Sequence, residues 1–454
     1  MVELRREIYD TLRAWKAKSK QECLLIKGAR QIGKTYIVRK FGRECYENFV
    51  EINFIEHEEF ISVFDKALDA STILSGITAL LPNVKFVPGR TLLFLDEIQE
   101  CPNARTALKF LATDERCDVV ASGSLLGIKY KKGRKRKPPK SYPVGYERQL
   151  TMHSLSFREY LWAKGYSDEQ FESLRESFVR RSPVQEAVNE RFNSLVREYI
   201  VVGGMPEVVR TFVETGHYGE VQLAQEKILT AYVDDIHKYA EAPDIPKIEN
   251  CHRAIPRILA GENHKFKYSE VEKGGTARKY LSSVAWLRDA HLATLAECVG
   301  NLELGLAAYV REGWFKLYMS DVGLLSAMYG MAVKRAVLDG SLAGSVKGGI
   351  YENFICGELE RRGFPVRYFK TEQGDSEVEF VIENADGVVP VEVKAGNGAT
   401  ASLDRALRRP TVPYGYKFTA GNVGVVGKKI TLPHYMVIFM DSAISGTHFG
   451  AAGA

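Results

Sequence analysis

Leu24-Leu-Ile-Lys-Gly-Ala-Arg-Gln-Ile-Gly-Lys-Thr-Tyr-Ile-Val38 decides how the rest of the chain is read. Leu24 to Ile26 have the character of a buried strand, which runs into Gly28. Gly28, Gly33, Lys34 and Thr35 stand at the spacing G-x-x-x-x-G-K-[ST], and the chain continues from Tyr36 as a helix. Strand, glycine loop and helix in that order are the context in which this spacing cradles a phosphate. The glycines let the backbone curl so that N–H groups along Gly28, Ala29, Arg30, Gln31, Ile32 and Gly33 point inward. The helix end carrying Lys34, Thr35 and Tyr36 adds its positive dipole. Lys34 is expected to reach the β- and γ-phosphates of ATP, and the Thr35 hydroxyl to bind Mg²⁺.

Outward from that loop, residues 4–15 place Leu4, Ile8, Leu12 and Trp15 at helical spacing. Residues 48–54 read as a second strand and residues 60–80 as a helix. Residues 91–95 form a third strand, continuous in apolar residues as buried parallel strands are. It ends in Asp96-Glu97. A carboxylate at a buried strand tip can hold the water shell of Mg²⁺, the role expected of Asp96. Glu97 beside it is placed to polarise an attacking water. A fourth strand, 118–124, ends in hydroxyls, and Ser122 or Ser124 is placed to sense the γ-phosphate. Alternating strands and helices with ligand residues at strand C-termini indicate a doubly wound α/β sheet.

Composition sets the bounds. A chain of 454 residues has room for about three domains. A 45% hydrophobic and 26% charged content is that of a globular protein in water. The net charge of +5 points only weakly to a polyanionic partner. Seven scattered cysteines, with no C-x-x-C, suggest reduced thiols and a cytoplasmic location. The charged, helix-patterned N-terminus is not that of a signal peptide, and no apolar run reaches the length of a membrane span. No membrane partner is expected.

Residues 25–35, Leu95-Asp-Glu-Ile-Gln99, Ala121-Ser-Gly-Ser124 and Leu155-Ser-Phe-Arg-Glu-Tyr160 resemble the AAA-type ATP-binding proteins of bacteria and archaea. Those proteins carry a C-terminal domain of unknown function that includes a nuclease-like fold, and the likeness extends over nearly the whole chain. It implies a P-loop NTPase parallel sheet with a helical lid, then a winged-helix unit and a restriction-endonuclease-like α/β domain. The corresponding divisions are an ATPase core at 1–150, a lid at 151–245, a winged-helix-like unit at 246–345 and a nuclease-like domain at 346–441. A disordered tail is expected at 442–454, which is rich in Gly, Ala and Ser. The family often has a Gly-Arg pair before the Leu-Ser-Phe segment; here Arg148 is displaced from that place.

Lys129, Lys131, Lys132, Arg134, Lys135, Arg136, Lys137 and Lys140 form a cationic stretch with no apolar periodicity. It reads either as a salt-sensitive contact to nucleic acid or as a solvated loop. Gly203-Gly-Met-Pro206 reads as a helix-to-helix turn packing on the ATPase core, and Pro243 and Pro246 as a joint after it. Beyond that joint the order helix (255–259), short helix from Ser269, helix capped by Thr276 and strand (291–297) is that of a winged helix. Such a unit would offer Lys273, Arg278, Lys279 and Arg288 to double-stranded DNA. Gly348-Gly349 reads as a boundary.

In the last part, Glu379 on one strand faces Glu392 and Lys394 on the next, because strand side chains alternate. An acidic residue followed by E-x-K is the constellation of the restriction-endonuclease-like fold, in which carboxylates hold a divalent metal and the lysine activates water. The resemblance adds Glu352 from the preceding helix, and departs from the family in having Glu379 where Asp is usual. The whole describes a cytoplasmic, Mg²⁺-dependent ATPase coupled to conformational change and acting on DNA. The alternative is a nucleotide-dependent switch with protein partners and an inactive nuclease-like domain. The sequence leaves open whether a second copy is among those partners.

Overall fold

The computed structural model describes residues 3–18, 22–65, 67–124, 141, 143–396 and 398–441. The cationic stretch 129–140 and the tail 442–454 lie outside them. In the first part strands and helices alternate: α1 (Ile8–Ala17), β1 (Cys23–Lys27), α2 (Lys34–Cys45), β2 (Asn48–Asn53), α3 (Ala70–Leu80), β3 (Thr91–Asp96), α4 (Pro102–Ala112), β4 (Asp118–Gly123) and β5 (Glu147–Thr151). The strands form one parallel sheet in the order β2-β3-β4-β1-β5. Every side chain of β3 is buried, which is why it reads as an unbroken apolar run. Parallel strands end on one edge, so the loop after β1, Asp96 at the end of β3 and Ser122 to Ser124 at the end of β4 meet there. The helix expected at 60–80 is divided into a 3₁₀ segment, Glu58–Phe64, and α3. Asp69 starts α3 afresh by accepting the Thr72 N–H at 2.8 Å, a bond that competes with helix continuation.

A helical layer follows: α5 (Phe157–Ala163), α6 (Asp168–Arg180), α7 (Glu186–Val202), α8 (Pro206–Thr215) and α9 (Tyr218–Tyr239). Next comes α10 (Ile245–Leu259), a longer helix than the 255–259 expected. Pro246 does not interrupt it but lies in its first turn, where a missing N–H is harmless. α11 (Tyr268–Val271) and α12 (Ala277–Asp289) fall where the pattern put them, although Thr276 makes no side-chain capping bond. An antiparallel pair, β6 (Ala293–Val299) and β7 (Val310–Met319), leads to α13 (Val322–Tyr329), α14 (Met331–Leu338) and α15 (Gly344–Arg361). The chain ends with β8 (Arg367–Lys370), β9 (Glu377–Asn384), β10 (Gly387–Val393), α16 (Ala401–Leu407), β11 (Gly415–Thr419), β12 (Gly424–Val426) and β13 (Lys429–Pro433).

Among the described residues β6 to β13 make one mixed sheet, ordered β12-β13-β11-β10-β9-β8-β6-β7. The parallel pairing of β6 with β8 therefore joins segments that the sequence divides at 345/346. That division falls inside α15. Gly348 and Gly349 are helical rather than a break in the chain, and Gly349 serves close packing: a Cβ there would lie 2.1 Å from the Leu259 carbonyl oxygen of α10. One apolar core runs from Leu4 to Met440 through both sheets and the helical layer, and a second fills the space between the first sheet and α3 and α4.

Candidate nucleotide site and a C-terminal charge cluster

At the C-terminal edge of the first sheet the glycine loop closes over its own lysine. Lys34 is buried, and its Nζ donates to the carbonyls of Gly28 at 3.0 Å and Ala29 at 2.6 Å. Burial depresses its pKa to about 8, against the opposing pull of Glu97 and Asp96. Asp96 is oriented from four sides. Its Oδ2 accepts from the Thr35 hydroxyl at 2.9 Å and the Asn53 amide at 3.3 Å. Its Oδ1 accepts from the Ser122 hydroxyl and from the Glu97 N–H at 3.1 Å. Burial raises the Asp96 pKa, with the Ser122 bond opposing it.

Glu97 holds φ +52°, a left-handed conformation that costs a non-glycine residue roughly 1–3 kcal/mol. Its carboxylate is thereby turned towards the cleft, where the Gln99 amide and the Ser124 hydroxyl (3.4 Å) donate to it. Arg30, Gln31, Gly33, Lys34, Thr35, Tyr36 and Glu97 line one cleft of about 920 Å³. Ala29 and Ile32 are buried beneath it, and Asp96 and Ser122 behind it. Thr35 and Asp96 in contact are a pair of hard oxygen donors of the kind that suits Mg²⁺.

Sequence reasoning missed three contributors from distant segments. The first is α9, whose Asp235 and, at 2.6 Å, Tyr239 hydroxyl accept from Arg30, so that this helix closes one side of the loop. Arg210 of α8 lines the cleft with a buried Nε that has no hydrogen-bond partner among the described residues. Arg6, ahead of α1, is buried against the outside of the loop. No local pattern announces any of them, because each reaches the site through packing of a distant segment. Arg148 pairs instead with Glu22 at 3.8 Å and does not line the cleft.

Residues 20–161 match a family described as an AAA domain. That segment is a P-loop ATPase domain. Two further segments of the chain, 193–335 and 347–434, each match a domain of unknown function (DUF8612 and DUF4143). Among solved structures it is similar to the Walker-type ATPase PABY2304 of Pyrococcus abyssi, at 13% identity and a TM-score of 0.41, covering 72% of this chain and 96% of that one. It also aligns with PCH-2 of C. elegans at 14% identity and a TM-score of 0.22, over 34% of this chain and 42% of that one. No curated protein matches the sequence. No helix among the described residues is long and apolar enough to cross a membrane.

In the second sheet, Glu352 of α15, Glu379 of β9, Glu392 of β10 and Lys394 just after it converge. Glu352, Glu379 and Lys394 line a cavity of about 460 Å³ together with His264. Lys394 Nζ bridges Glu379 at 3.0 Å and Glu392 at 2.7 Å. Lys316 of β7, buried, lies 2.9 Å from Glu377 and 3.7 Å from Glu352. Glu352 also accepts from the Tyr318 hydroxyl at 3.0 Å and lies 2.8 Å from His264 Nδ1. Burial would raise the Glu352 pKa, but Lys316 and His264 outweigh it and hold the carboxyl at about 2. Glu379 goes the other way: burial, then the neighbouring Glu392 and Glu352 carboxylates, push it well above the ordinary range.

The cluster is thus a set of carboxyl groups met by Lys316, Lys394 and His264. Among the described residues no group of three or more His, Cys, Asp or Glu is arranged to hold a metal ion. One oxygen each of Glu379 and Glu392 has no partner. Glu377 and Lys316 went unremarked in the sequence, although Glu377 shares the face of Glu379 by simple alternation. On the helical unit before this sheet, Lys279 pairs with Glu272, and Arg288 pairs with Asp289 at 2.8 Å. Of the four basic residues expected to face DNA there, Lys273 and Arg278 are exposed, with no such pairing among the described residues.

Proposed function

We propose that the protein is an Mg²⁺-dependent ATP hydrolase that couples its nucleotide cycle to the C-terminal sheet and acts on double-stranded DNA. The observation that carries the catalytic part is the contact of Thr35 with Asp96, four-way oriented, beside a glutamate whose backbone is held in a strained conformation. In this reading, Lys34 exchanges the Gly28 and Ala29 carbonyls for the β- and γ-phosphates, and the loop N–H groups take the remaining phosphate oxygens. Thr35 and Asp96 would hold Mg²⁺, which neutralises charge on the phosphates when bound. Glu97 accepts a hydrogen bond from the attacking water and aligns it with the γ-phosphorus, while Gln99 and Ser124 keep its carboxylate in place.

The DNA part rests on the cationic stretch 129–140 and on the winged-helix-like order of α10, α11, α12 and the β6–β7 pair. The test is ATP turnover by the full chain with and without duplex DNA, with Glu97→Gln alongside. Expected are stimulation by DNA and a loss of roughly 10²-fold or more in the variant with ATP still bound. Turnover indifferent to DNA would overturn the DNA part, and undiminished turnover in Glu97→Gln the catalytic assignment.

One observation favours a second reading, a nucleotide-dependent switch for a protein partner with an inactive nuclease-like domain. Lys394 spans Glu379 and Glu392, and Lys316 and His264 lie against Glu352, so the expected metal ligands are already engaged by other side chains of the protein. A partner retained only in the ATP state, with no cleavage of DNA under Mg²⁺ or Mn²⁺, would decide for it.

A further inference from the structure

Arg6 is buried beside the glycine loop, and each of its three nitrogens donates one hydrogen bond. Nη1 donates to the Ile32 carbonyl at 2.8 Å, Nη2 to the His153 carbonyl at 2.6 Å and Nε to Glu159 Oε1 at 3.1 Å. Ile32 is the last residue before Gly33 in the loop. In a trans peptide the C=O and the following N–H point in opposite directions. An Ile32 carbonyl fastened to the outside of the loop therefore turns the Gly33 N–H to the inside, where a phosphate oxygen would sit. Without a fastening this peptide could turn over readily: Gly33 holds φ +91° and lacks a Cβ, so neither face is sterically barred.

We propose that Arg6 is a positioning residue of the nucleotide site, one that fixes the Ile32–Gly33 peptide in its phosphate-accepting orientation. The guanidinium suits this because it is planar and its three bonds diverge in one plane, which no other side chain can reproduce. Its anchor is in turn held by other parts of the chain. Glu159 Oε1 also accepts the Glu7 N–H at 2.7 Å, and Oε2 accepts the Ser156 N–H at 2.9 Å in the capping box of α5. Glu7 pairs with Arg362, next to the C-terminal residue of α15, at 3.2 Å, and Arg361 donates to the Ser154 hydroxyl at 2.7 Å. The helix that carries Glu352 is thus attached to the same cluster that orients the loop.

The inference rests on the reading of the P-loop as a phosphate cradle, and Lys34→Ala serves as its control. Arg6→Lys keeps the buried charge for Glu159 but cannot serve Glu159 and both carbonyls together. It is expected to unfold at close to the wild-type temperature while its Kd for MgATP rises about tenfold. Glu159→Gln leaves both carbonyl bonds of Arg6 in place and is expected to lose stability yet keep wild-type MgATP affinity. Wild-type affinity in Arg6→Lys, or an affinity loss in Glu159→Gln as large as that in Arg6→Lys, overturns the proposal. Should Arg6→Lys fail to fold, the Glu159→Gln affinity alone decides. If Lys34→Ala binds MgATP like the wild type, the cradle reading itself fails; if Lys34→Ala alone loses binding, only the role of Arg6 does.

Discussion

Replacing Lys316 by Met removes the cation shared by the buried Glu352 and the half-buried Glu377. The ammonium lies 2.9 Å from Glu377 and 3.7 Å from Glu352. At an effective dielectric constant of about 20 each attraction is about 5 kcal/mol, and desolvation of the ammonium offsets several kcal/mol of that total. A buried pair broken on one side generally costs 3–5 kcal/mol, and a loss of about 4 kcal/mol is expected here. For a unit of about 200 residues that corresponds to a fall in Tm on the order of 10 °C. The pH dependence has a definite sign. In the wild type Glu352 has a folded pKa of about 2 against an ordinary 4.5, so its contribution is present above 4.5 and is lost as pH falls through 2. Without Lys316, burial outweighs what remains, and the folded carboxyl takes up a proton more readily than the unfolded one. The gap between variant and wild type should then narrow as pH is lowered from 7 towards 4.5, and Glu352→Gln should recover part of the loss in the Lys316→Met background. Urea unfolding followed by circular dichroism at pH 7 and pH 5 measures both. A loss below 1 kcal/mol, or a gap unmoved by pH, would refute the reasoning.

Nucleotide affinity should also depend on pH. Lys34 in the free cleft loses its proton near pH 8, whereas phosphate oxygens would hold it charged, so calorimetric MgATP affinity should be level up to about pH 7.5 and then fall towards tenfold per pH unit; a level profile to pH 9.5 would count against Lys34 as the phosphate ligand. Arg210→Ala removes a guanidinium that lines the cleft with its Nε unpartnered among the described residues, and is expected to weaken MgATP binding about tenfold without lowering Tm; lost stability with unchanged affinity would make Arg210 a packing residue. Gly204→Ala places a Cβ 2.1 Å from the Leu155 carbonyl oxygen, between the helical layer and the first sheet, and should cost about 3 kcal/mol by overpacking, read as a drop in urea midpoint; an unchanged midpoint would show that the turn yields.

The convergence of residues at the candidate nucleotide cleft was legible because its parts are local. A strand, a glycine loop and a helix are consecutive in sequence, and Asp96-Glu97 and Ser122 lie at the ends of apolar strands that the chain itself marks. Parallel pairing then brings strand ends to one edge, so reading the strands was enough to gather Lys34, Thr35, Asp96 and Ser122. The convergence of Glu379, Glu392 and Lys394 followed in the same way from alternation along two neighbouring strands.

Other features depend on segments far apart in the chain. That Arg6 fastens the loop, that Arg210 faces the cleft and that Lys316 neutralises Glu352 are facts about which surfaces meet, and no periodicity encodes them. The joining of β6 and β7 to the last sheet is another, since a parallel pairing leaves no turn signal between its strands. Gly348-Gly349 shows the ambiguity best: the same two residues suit a break in the chain or a helix pressed against a neighbour, and only α10 lying across α15 selects the second. Local sequence determined which elements form and which residues of the glycine loop and the strand ends come together. Tertiary packing decided which charges are paired, because the energy of a buried ion depends on what lies across from it and not on what stands beside it in sequence.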